Sequence, residues 1–238
     1  PPVAFEETAH GVLDLIGIVM TAMIAILVWH TLTSHRDARL LILGSFFAVV
    51  AVLDMSHLLS KAGLLGVAVG SADSQAENFW LLSRLWTGLA LLCSALIPAR
   101  VQFGLGVKML IWGGALVFLS LAFPLLVGSD ISLFPLLRAE PVWLPFPLDL
   151  SWLVLPVLLL SAWHWFQKAR RDERIDMLHL FIAASLIAMS EVYYTNPQGH
   201  GASGLLGEIY EIIVIAFIYQ ALVVTGIKAP FVQLDQLT

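Results

Sequence analysis

The chain has 238 residues, of which 59% are hydrophobic and 12% charged, against about 25% charged in soluble domains. That composition excludes an ordinary soluble globular domain, and with a formal net charge of −5 no nucleic-acid partner is expected. The single cysteine, Cys93, lies inside an apolar run, which excludes a disulfide framework and a cysteine-based metal motif.

The opening stretch, PPVAFEETAH, lacks a basic n-region and a small-residue cleavage site, so no signal peptide is expected. With no initiator Met, the chain reads as a processed or excised piece. Apolar runs then recur at about 20 residues each, the length that crosses a hydrocarbon core of about 30 Å. Polar breaks between them predict seven helices at residues 8–33, 39–60, 77–98, 106–127, 148–167, 175–194 and 205–226. The connection Gly128–Pro147 contains SLFPLLRAEPVWLPFP, a Pro-rich aromatic stretch expected to lie at the membrane interface. The predicted fold class is all-α: a polytopic membrane protein built as a seven-transmembrane-helix bundle. One transmembrane domain is expected over 1–228, and the start of a cytoplasmic linker over 229–238.

Basic residues set the expected orientation. Arg36 and Arg39 follow helix 1, Arg100 and Lys108 follow helix 3, Lys168, Arg170, Arg171 and Arg174 follow helix 5, and Lys228 follows helix 7. The other side has Lys61 and Arg138, with Arg84 inside helix 3. By the positive-inside rule the N-terminus of this multi-pass protein is outside and the C-terminus cytoplasmic.

Orientation then gives depth to the ionisable residues. His10 and Asp14 open helix 1, Asp54 and His57 close helix 2, and Glu77 and Arg84 lie in the outer half of helix 3. Asp149 opens helix 5, Glu191 with Tyr193 and Tyr194 closes helix 6, and Glu208 and Glu211 open helix 7. Six of the seven helices thus bring polar groups to one outer level. Charges at membrane depth cost at least ~2.5–3.5 kcal/mol each, so they turn toward the bundle interior or a wet cavity and find partners. The i,i+3 and i,i+4 spacings keep each pair on one helix face, and Trp80, one turn before Arg84, can wall the space.

An outward-facing pocket for a small-molecule or ion ligand is therefore expected. Its residues would be His10, Asp14, Asp54, His57, Trp80, Arg84, Glu191, Glu208 and Glu211. The plainer alternative is a set of interhelical clasps, in particular an Arg84 salt bridge to Asp54 or Glu208. His10, Asp14, Asp54, His57 and Glu208 also offer ligand types for a transition metal ion such as zinc, copper or iron, although HExxH and CxxC motifs are absent. His35 is expected at the surface, and His30, His164 and His179 in local hydrogen bonds.

Four stretches carry a resemblance: AHGVLDLIGIV, ILGSFFAVVAVLDMSHLLSKAGL, ENFWLLSRLWTGLALL and GEIYEIIVIAFIYQALVVTGIKAPFVQL. Through them the chain resembles the third type of bacterial membrane-associated sensor domain, in the MASE group. These are N-terminal input modules of diguanylate cyclases, PAS-containing proteins and histidine kinases. The family's polar set falls on His10, Asp14, Asp54, His57, Trp80, Arg84, Tyr219 and Pro230; Glu208 and Glu211 stand where the family usually has His and Lys. The resemblance implies an input domain, without catalytic residues of its own, whose helix 7 relays a signal through Tyr219, Gly226 and Pro230 to a cytoplasmic output domain in the parent chain. It also implies a multi-pass protein of the bacterial inner membrane, and the reading as a sensor carries the expectation of a homodimer in the lipid bilayer. Two other readings stay open. One is an intramembrane metal-dependent enzyme, for which no nucleophile motif is found; the other is a transporter, for which no repeat or continuous polar path is found.

Overall fold

Seven helices account for nearly all of the chain that the computed structural model describes, namely residues 2–31, 38–65, 72–98, 101–128, 151–194 and 202–223. They are α1 (Pro2–Thr31), α2 (Ala38–Lys61), α3 (Ala72–Leu96), α4 (Leu105–Gly128), α5 (Ser151–Asp172), α6 (Ile175–Tyr194) and α7 (Ala202–Val223). Each overlaps an expected helix. The main differences are at the ends: α1 and α3 begin earlier, and α5 runs on past residue 167 through Lys168, Arg170 and Arg171. An apolar run marks the membrane-facing part of a helix, whereas hydrogen bonding carries the helix on into its polar flanks. The interfacial segment expected at Gly128–Pro147, Asp149 of helix 5, and Gly226 and Pro230 of the tail lie outside the described residues.

Two helix ends show their chemistry. Gly63, with φ of 69°, closes α2: its N–H donates to Ser60 O and the Leu64 N–H donates to Leu59 O, each at 2.9 Å. This is the paired-bond Schellman ending, in which glycine takes the left-handed conformation at low cost. At the other end of the bundle Glu173 makes the α5–α6 reversal with φ of 50°.

Packing contacts run in a closed cycle, α1–α2–α3–α5–α6–α7 and back to α1, while α4 packs outside the ring against α2 and more lightly α3. Gly44 permits a close approach of α2 to α1, since a Cβ there would overlap Val28 of α1. The ring's core includes Ile24, Leu43, Phe47, Leu91, Leu158, Trp165 and Ile218, all essentially buried. A smaller cluster, Val49, Leu53, Phe79 and Leu126, seats α4. Aromatic contacts hold that seat: Trp86 stacks on Phe118 at 4.2 Å and on Phe46 at 5.0 Å, and Trp112 meets Trp29 edge-on at 5.2 Å.

Among the described residues, six helices are long and apolar enough to cross a membrane. The seventh, α5, is diluted by His164, Gln167 and its basic end. Within the apolar window of α2, 61% of residues are buried by the bundle, against 6% for α4. Exposed leucines at 110, 116, 121 and 125 therefore make α4 a lipid-facing outrigger. Four of the buried serines add little polar cost, because Ser45, Ser56, Ser94 and Ser190 donate to carbonyls of their own helices.

Candidate functional site

At the end where α1, α3 and α7 begin and α2 ends, these four helices enclose a cavity of about 20 Å³. A site needs about 10–15 Å³ by this measure to hold one water, so the space takes one water-sized group. Its polar lining is Asp14, Asp54, His57, Trp80, Arg84, Glu208 and Glu211; Leu13, Gly17, Ile18 and Ile212 complete the wall.

The lining is cross-braced. The buried Arg84 guanidinium donates through Nη2 to Glu211 of α7, its Nε lies 3.8 Å from Glu191 Oε1 of α6, and its Cζ sits 5.5 Å from the Trp80 ring centre. The expected clasp was to Asp54 or Glu208; among the described residues the ion pairs found for Arg84 are with Glu211 and Glu191. Asp54 instead takes a hydrogen bond from Ser83, the residue before Arg84. His10 Nδ1 pairs with Glu208 Oε1, joining α1 to α7. His57 Nδ1 lies 2.8 Å from the Ala76 carbonyl; a carbonyl only accepts, so this nitrogen carries the proton, and in the neutral ring Nε2 keeps its lone pair. Glu208 Oε2 and Asp14 Oδ2 are buried without a hydrogen-bond partner among the described residues.

Of the nine residues expected at the pocket, seven line the cavity. His10 and Glu191 stand behind it, each engaged with a lining residue. Glu77 is exposed, away from the cavity. The apolar residues Gly17 and Ile18 and the brace Ser83 were not anticipated; Gly17 lies one turn beyond Asp14 on the same face, which is the signal that could have found it. Among the described residues no three His, Cys, Asp or Glu side chains are grouped to hold a metal ion, the expected set of five included. His179 is a further correction, since its Nδ1 is buried without a hydrogen-bond partner among the described residues, its ring 5.7 Å from Phe217.

The opposite end is basic. Lys168 donates to Ile97 O at 2.8 Å while lying 5.4 Å from the Trp165 ring centre. Arg174 engages Asp176 through two bonds of 3.0 and 2.7 Å.

Apolar helices of membrane-spanning length, with ionisable groups gathered around one small cavity at a bundle end, define a multi-pass all-α membrane protein. The chain belongs to the MASE3 family of membrane-associated sensor domains, whose profile matches residues 6–230. The chain is accordingly a membrane-associated sensor domain. No curated protein and no solved structure matches it.

Proposed function

We propose that this sensor domain receives its stimulus at the cavity between α1, α2, α3 and α7, from outside a bacterial inner membrane, and passes it through α7 to a cytoplasmic output domain. A diguanylate cyclase or a histidine kinase is the output class that fits, and the working unit is a homodimer. One observation carries the reading: seven polar side chains from four helices line a single cavity at the end remote from Lys168, Arg170, Arg171 and Arg174. The positive-inside rule makes the basic end cytoplasmic and the cavity end external.

Helix α7 is suited to the relay because Glu208 and Glu211 face the cavity and Tyr219 packs against the core of the ring on the same rigid element. The eight residues from Glu211 to Tyr219 span about 12 Å at the helical rise. A stimulus acts only through differential contacts with two arrangements of the bundle. Breaking the Arg84–Glu211 brace, or reinforcing it, is such a difference.

The test is a thermal-shift screen of small polar solutes on the detergent-purified chain, wild type beside Asp54→Ala/His57→Ala. A solute that stabilises the wild type and not the double variant supports the reading. Equal stabilisation of both contradicts it.

A further inference from the structure

The hydrogen-bonding capacity of the cavity is lopsided. Its lining holds four carboxylates, Asp14, Asp54, Glu208 and Glu211, against the single permanent cation Arg84. That cation is already committed to Glu211 and Glu191, and the Nδ1 proton of His57 to Ala76 O. What remains is chiefly acceptor capacity: Glu208 Oε2, Asp14 Oδ2 and the Nε2 lone pair of His57. Glu208 is only 7% exposed, so its second oxygen has lost water without gaining a protein donor. Buried polar atoms are rarely left so.

We propose that the cavity binds a compact cation bearing N–H donors, an ammonium ion or the ammonium head of a small primary amine. This rests on the reading of the cavity as the sensory pocket, and specifies what enters it. Size argues for the head group, since about 20 Å³ admits one water-sized unit and ammonium is close to water in size. Chemistry argues for the donors, because the unfilled positions accept hydrogen bonds and an anion or a pure acceptor would face carboxylates. A divalent metal fits less well, as no three of the side chains are grouped as a coordination shell among the described residues. Trp80 and the apolar wall of Leu13, Ile18 and Ile212 exclude larger polar groups.

The experiment titrates the purified chain with ammonium, methylammonium, potassium and tetramethylammonium chlorides at matched pH and ionic strength, reading the shift in Tm. Ammonium and methylammonium should give saturable stabilisation, whereas potassium, similar in size to ammonium but without donors, and tetramethylammonium, without N–H, should not. Glu208→Gln and Asp14→Asn, which keep side-chain shape, should each raise the half-saturating concentration at least tenfold, and Glu77→Gln should leave it unchanged. Potassium matching ammonium, or Glu208→Gln and Asp14→Asn both binding within twofold of wild type, overturns the proposal. Saturable stabilisation by an anion or a neutral solute instead, lost in Asp54→Ala/His57→Ala, would overturn the ligand class while the pocket stands. Ammonium binding that survives in Asp54→Ala/His57→Ala would count against the pocket itself.

Discussion

Replacing Arg84 by methionine keeps most of the side-chain volume and removes the guanidinium that joins α3 to α6 and α7. The buried Glu191 and the half-buried Glu211 then lose their counter-charge. For Glu191, 3.8 Å from Nε, the Coulomb term alone is about 4 kcal/mol at an effective dielectric of about 20. The Glu211 contact is closer and adds a charge-assisted hydrogen bond. Desolvation offsets much of the gross attraction, yet it does not soften the loss of one partner, because the remaining charge stays buried; such removals cost about 3–5 kcal/mol. Arg84→Met should therefore destabilise the bundle by about that amount. Arg84→Met/Glu211→Gln should be less destabilised than the sum of its single variants, by up to about 3 kcal/mol, the range measured for residues in one network. The assay is reversible unfolding in mixed detergent micelles, followed by circular dichroism across the double-mutant cycle. An Arg84→Met variant within about 0.5 kcal/mol of wild type, or a cycle additive to within the same margin, would refute the brace.

Three further substitutions test the packing around the site. Gly44→Ala should splay α1 from α2 and cost about 1–3 kcal/mol as an overpacked contact, and Val28→Gly in the same chain, which removes the Val28 Cβ that a Cβ at position 44 would overlap, should restore part of the loss in Tm. Trp86→Ala removes the stack on Phe46 and Phe118; hydrogen exchange should rise in α4, while ligand-dependent protection of α1, α2 and α7 persists. Glu173→Gly should raise stability by about 1–2 kcal/mol, read as Tm, by relieving a non-glycine residue of its left-handed backbone at φ 50°.

The helices were legible because membrane crossing imposes length and apolarity on each one separately. The level of the polar groups followed from charge asymmetry, which fixes the direction of every helix at once, so Asp54 at the end of α2 and Glu208 at the start of α7 could be placed side by side. The position of α4 was also implicit, as it is the one helix that contributes no ionisable residue to the polar level. Which carboxylate Arg84 would choose was not legible. That choice depends on the rotation of α7 and α6 about their axes: one residue turns a helix by about 100°, and Ile209 and Ile213, two positions either side of Glu211, are exposed. For the same reason Ser83 and Ala76 O, the actual partners of Asp54 and His57, carry no mark in the sequence, since a hydroxyl or a carbonyl becomes informative only once its neighbour is known.

The account turns on the side of the membrane from which the cavity is reached. In a Cys93→Ser background, single cysteines in place of the exposed Lys61, at the cavity end of α2, and the exposed Arg171, at the basic end of α5, can be labelled in intact cells with a membrane-impermeant maleimide. Labelling at position 61, and at position 171 only after the cells are permeabilised, is the predicted result; labelling at 171 in intact cells with protection at 61 would contradict an outward-facing sensory pocket.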